Sequence, residues 1–150
     1  MNNPSPVQRL QKQRGQSLVE MGLTLVILLW LLAAAINFGT GYLAYVTIRD
    51  AAQEGAVYGA LYPTDVGGIV DRVRHSVQVA GPVNMALADV DVTASEGICP
   101  GNVIRVMVSY NFQLTIPFVD MMIDNPIPIH AYAASEILRR VDPSCPAYEP

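Results

Sequence analysis

The stretch Lys12–Phe38, KQRGQSLVEMGLTLVILLWLLAAAINF, decides the architecture, because it passes from basic and polar to apolar within a few residues. From Met21 to Phe38 run 18 residues without a charge, interrupted only by Gly22, Thr24 and Asn37. That is about the length needed to cross a bilayer core. One carboxylate, Glu20, stands just inside the start of the run. In hydrocarbon an isolated carboxylate costs on the order of several kcal/mol, so it must reach the headgroups, take a proton or meet a positive partner.

Before this run lie Arg9, Lys12 and Arg14 with no acidic residue; after it come six arginines and twelve acidic residues. The positive end is therefore expected to stay cytoplasmic while the rest crosses, a single-pass arrangement in the cell membrane. Residues 1–15 read as a leader, and without them the chain is strongly acidic, which makes nucleic acid an unsuitable partner. The apolar periodicity continues past Phe38 until Pro63, so residues 16–62 are expected to form one hydrophobic helix with the membrane span at about 21–38. Taken from about Ser17 to Leu61, such a helix is about 65 Å long at 1.5 Å per residue, and Gly39 and Gly41 are the expected place for a bend.

Residues 63–150 read as a small extracytoplasmic α+β domain. Thr64 or Asp65 caps a second helix with Val66, Ile69, Val70, Val73, Val77 and Ala80 at helical spacing, and Gly81-Pro82 stops it. The period then falls to two: VDVTA alternates briefly, and the even positions from Ile104 to Ile116 are all apolar. SEGICPGN supplies the turn of a hairpin, Pro117, Pro126 and Pro128 mark a loop, and IHAYAASEIL is read as a third strand, with a short helix as the alternative. The expected fold is a long N-terminal hydrophobic helix followed by a helix on a small antiparallel sheet.

The chain offers little for catalysis. His75 and His130 have no partner at metal or nucleophile-activating spacing, no glycine-rich phosphate loop follows a strand, and Asp89 and Asp91 read as a solvated strand face. No enzyme activity, metal or cofactor is expected. Cys99 and Cys145 lack zinc-site spacing, and in an oxidising compartment a single disulfide is their plausible use, two free thiols being the alternative. Ala52, Ala56 and Ala60 repeat every four residues, as do Ala51, Gly55 and Gly59. That leaves one helix face almost without bulk, suited equally to a neighbouring subunit's helix and to the chain's own sheet.

The placement of Glu20 gives it more meaning. Arg14-Gly15 precedes Gln16-Ser17, and Glu20 is the fifth residue after Gly15. If the chain is cut after Gly15, a new ammonium group appears on Gln16, which the carboxylate of a neighbouring subunit can neutralise. Here the sequence resembles the class III, Tad-type prepilins and, within them, the TadE-like pseudopilins. The matching residues are RGQSLVE with its apolar run and IRDAAQEGAVYGA, and the resemblance covers residues 14 to about 61. It implies a membrane prepilin peptidase that cuts between Gly15 and Gln16, with Glu20 assisting recognition or assembly. Met21 stands where that family usually has an aromatic residue.

The resemblance further implies a minor pilin of a Tad (Flp) type IV-like pilus, acting in initiation, at the tip or in assembly. Its partners would be other Tad/Flp pilins, the assembly platform and membrane lipid. The competing expectation is a single-pass anchored extracytoplasmic binding protein that never enters a filament. A third, release by signal peptidase after Ala33-Ala34-Ala35 to start at Ile36, fits poorly because the apolar run is long and lacks a polar region before the cut.

Overall fold

A computed structural model of the chain describes residues 6–76, 83–95, 97–115 and 123–145, with side chains from Gly15 onward. Helix α1 spans Pro6–Leu61, and its helical backbone runs through Gly39 and Gly41 without interruption. The expected leader thus includes helical backbone from Pro6. Proline is favoured in a first helical turn, and the Gln, Arg, Lys and Leu that follow are strong helix formers.

The chain divides into two compact units, Met1–Phe38 and Gly39–Pro150. In the first, every described side chain from Gln16 to Leu32 is exposed, including Leu18 at 71% and Val19 at 71%. It is the one helix among the described residues long and apolar enough to cross a membrane. A helix apolar on all sides needs lipid or other protein around it.

The second unit begins inside α1, earlier than the boundary expected at residue 63, because Ala44, Ile48, Ala51, Ala52 and Ala56 belong to its core. Helix α2 spans Val66–His75 and is capped by Asp65, whose Oδ1 accepts from the Gly68 N–H at 2.9 Å. A cap of this kind contributes about 1 kcal/mol. Ile69 and Val73 are buried, while Asp71, Arg72 and Arg74 face outward. The expected continuation to Ala80 and the stop at Gly81-Pro82 lie outside the described residues. A single 3-10 turn, Met85–Leu87, which the sequence pattern did not announce, is capped by Asn84 and buries Met85.

Strands β1 (Asp89–Ala94), β2 (Val103–Phe112) and β3 (Ile127–Glu136) form an antiparallel sheet in the order β1-β2-β3. The two-residue alternation of β2 puts Ile104, Val106, Val108 and Phe112 into the core against α1 and α2. Each fully buried Ile or Val contributes about 1.5–3 kcal/mol relative to an exposed one. β3 begins earlier than expected and takes in Pro128, which pairs with Asn111. An edge strand tolerates proline because one side of its backbone needs no ladder bond. The β1–β2 turn uses Gly97 at φ 94° and Gly101 at φ 90°, conformations that favour glycine.

The tail fastens back onto the unit. Ile137 N–H donates to Asn102 at 2.8 Å, and Leu138 N–H donates to the Ala60 carbonyl at 3.0 Å. The latter bond satisfies one of the carbonyls that the end of α1 leaves open. Cys99 and Cys145 are joined, with Cα atoms 5.5 Å apart, across 46 residues of sequence.

Candidate functional site

Gly15 lies in helical backbone, and a Cβ added there would meet nothing within 4 Å. Glycine inside a helix costs about 1 kcal/mol relative to alanine, so nothing in the fold around it calls for this residue. Gly55 and Gly59 differ: a Cβ at 55 would overlap Val73 Cγ2, and one at 59 would come within 2.9 Å of Ile104 Cδ1.

Gln16 and Glu20 are four residues apart on α1, which puts them on one side of the helix. Both are exposed, and among the described residues Glu20 has no ion-pair partner. Its backbone carbonyl accepts from Thr24 Oγ1 at 2.8 Å, which keeps the threonine hydroxyl satisfied on an otherwise apolar surface. Trp30 is half exposed amid the aliphatic side chains of Val26, Ile27, Leu31 and Ala34.

The small-residue face is filled from within the second unit. Ala51 and Ala52 are fully buried, Ala56 and Ala60 nearly so, and Gly55 and Gly59 are buried with them. What lies against the two glycines is Val73 and Ile69 of α2 with Ile104 and Val106 of β2. Of the two uses left open by the sequence, the chain's own elements take up this face here.

Two histidine contacts arise, one at i,i+4 spacing on α2 and one across strands that spacing did not reveal. His75 Nδ1 lies 3.0 Å from Asp71 Oδ1 on exposed α2. His130 Nδ1 lies 2.9 Å from Ser109 Oγ because the β2–β3 register pairs these positions. Asp89 pairs with Ser109 on the opposite side, so the carboxylate sits beyond the serine and not behind the imidazole. A nucleophilic triad needs the imidazole in the middle. Only strand register, invisible in a sequence, forms this row.

Among the described residues no group of three His, Cys, Asp or Glu side chains is placed to hold a metal. An open cleft beside Tyr110, Asn111 and Gln113 has no carboxylate, imidazole or thiol in its described lining. Among the described residues, the surroundings displace the titration of Tyr58 and Asp142. The Tyr58 phenol is pushed up, chiefly by its hydrogen bond to Asp65, then by desolvation and the Asp65 charge. The Asp142 carboxyl is held low by the Ser144 hydroxyl and then by the Ser144 N–H.

An exposed apolar helix, long and apolar enough to cross a membrane, and a small disulfide-closed α+β unit make up the described chain. Residues 15–57 match the family described as TadE-like protein. The match begins at Gly15 and lies wholly within α1. Neither the comparison with curated proteins nor that with solved structures gives a match.

Proposed function

We propose that the chain is a minor pilin of a Tad (Flp) pilus, cut by a prepilin peptidase between Gly15 and Gln16 and then drawn from the membrane into an assembling filament. The observation that carries this reading is Glu20, an exposed carboxylate without an ion-pair partner among the described residues, one helical turn from Gln16 at the head of an exposed apolar helix. Gly15 supports it, since the fold makes no demand for glycine there whereas the peptidase would.

The mechanism is packing. In the membrane, lipid covers the apolar helix; in a filament, neighbouring helices do. Away from lipid, burying this surface is worth about 25 cal/mol per Å². Hydrocarbon contacts slide easily, so they fix stagger poorly. A carboxylate at Glu20 and an amine at Gln16 of the next subunit pair at one stagger only, and that pair sets the axial register. The α+β unit then stands on the extracytoplasmic side, joined to the helix through a continuous α1.

Gly15→Val in the native host tests this against the anchored-protein alternative. The pilin reading expects uncut precursor in the membrane and loss of the chain from sheared pilus fractions. An anchored binding protein would keep its size and location.

A further inference from the structure

From Met21 to Ile48 the chain carries no charged residue, a stretch of 28 residues that outlasts the apolar run ending at Phe38. At 1.5 Å per residue it reaches about 42 Å, more than a hydrocarbon core of about 30 Å and as much as a bilayer of about 40–45 Å with its headgroups. The core takes up about 20 residues, so with Glu20 among the headgroups on one side the helix leaves hydrocarbon near Thr40 on the other. Tyr42 and Tyr45, 62% and 38% exposed, then stand at the depth where tyrosine is enriched in membrane proteins.

This stretch already belongs to the second unit, which begins at Gly39. Ala44 and Ile48 are fully buried in its core, and a Cβ built on Gly41 would lie 3.5 Å from Phe112 Cε1. The packing of the unit therefore starts at headgroup depth. Thr40 and Phe112 line an open cleft together with Leu87 and Pro126, and no charged side chain is among the described residues around it. Leu87, on the 3-10 turn, is 74% exposed. An aliphatic side chain so exposed gains free energy by leaving water.

We propose that the rim of the second unit around Thr40 and Leu87 docks on the headgroup layer of the bilayer that α1 spans, with Leu87 as its apolar contact. Lipid is the occupant because Thr40, on this rim, stands where the helix leaves hydrocarbon. Asp89 and Asp124, two residues along the chain from Leu87 and Pro126, are exposed and limit the depth. Carboxylates stay with water, so the rim rests among headgroups and does not sink into hydrocarbon. The contact holds the unit against the membrane, and drawing the chain into a filament has to break it. The proposal rests on α1 spanning a membrane and does not depend on cleavage at Gly15.

The test places the full chain in phosphatidylcholine nanodiscs whose lipid is brominated at either the headgroup end or the methyl end of its acyl chains, so that it quenches nearby tryptophan. Trp30, the single tryptophan, reports on the span in wild type. In a Trp30→Phe background, Leu87→Trp puts a reporter on the rim. Leu138→Trp puts one beside Ala60, 20 residues or about 30 Å farther along α1 than Thr40. Leu87 and Leu138 are both exposed, so neither substitution disturbs the core. Trp30 should be quenched more by methyl-end bromine. Leu87→Trp should be quenched more by headgroup-end bromine and emit at shorter wavelength than Leu138→Trp, which should lose little emission. Equal quenching of Leu87→Trp and Leu138→Trp while Trp30 is quenched overturns the proposal and leaves the spanning reading intact. A Trp30 that neither lipid quenches overturns both.

Discussion

Gly55 lies so close to Val73 that a Cβ at position 55 would overlap the valine Cγ2. The stiff, branched valine is buried at the α1–α2 contact and has little room to yield. Alanine gains about 1 kcal/mol of helix propensity, but overpacking costs about 1–3 kcal/mol. Gly55→Ala is therefore expected to destabilise the domain by up to about 2 kcal/mol. Gly59→Ala meets the mobile ends of Ile104 and Ile69, at 2.9 and 3.1 Å, and should stay within about 1 kcal/mol of wild type. Chemical denaturation of both variants checks the order; equal stability of the two would contradict it.

The Cys99–Cys145 bridge joins the β1–β2 turn to the tail that covers the end of α1. Opening a loop of this size should cost about 2–4 kcal/mol. Cys99→Ser is expected to lower the unfolding free energy by that amount, and reductant should shift the wild type to the variant's denaturation midpoint. A wild type indifferent to reductant would count against the bridge.

The Tyr58 hydroxyl donates to Asp65 at 3.0 Å, and its pKa lies above the ordinary tyrosine value of about 10. The folded state therefore holds this proton more tightly than the unfolded state does. Its stabilising contribution is complete below about pH 10 and disappears as pH rises through the folded pKa. Phenolate absorbance should show the Tyr58 component titrating at higher pH in wild type than in Asp65→Asn. Identical titration curves in the two proteins would remove the hydrogen bond from the account.

Glu20→Gln removes charge and keeps size. A neutral amide enters hydrocarbon more easily, so membrane extraction should recover as much of the variant as of wild type. Co-purification with other pilus components should fall if Glu20 pairs with the Gln16 amine. Undiminished co-purification would remove the pairing role.

An unbroken apolar run revealed the long helix, and hydrophobic periodicity revealed the start of α2 and the alternation of β2, because those two each bury a regular face. The α2 cap was legible as Thr64 or Asp65, and the structure assigns it to Asp65. Long-range partners were not. Whether α2 and β2 or another subunit fills the space beside Gly55 depends on tertiary packing, which small-residue spacing leaves open. His130 meets Ser109 through strand register alone, and Pro128 enters β3 because that strand lies at the sheet edge. The Arg139–Tyr62 stack depends on a tail bond to Ala60 that no local pattern encodes.

The central claim concerns where the mature chain begins. Mass spectrometry of the N-terminal peptide, from protein isolated from the native envelope, tests it most directly. Cleavage after Gly15 leaves the whole apolar helix on the protein, keeps it in the membrane and places a new amine one helical turn from Glu20. The account predicts a peptide starting at Gln16, with or without a methyl group on its amine. A peptide starting at Ile36, or a chain that retains the residues before Gln16 in the assembled pilus fraction, would contradict it.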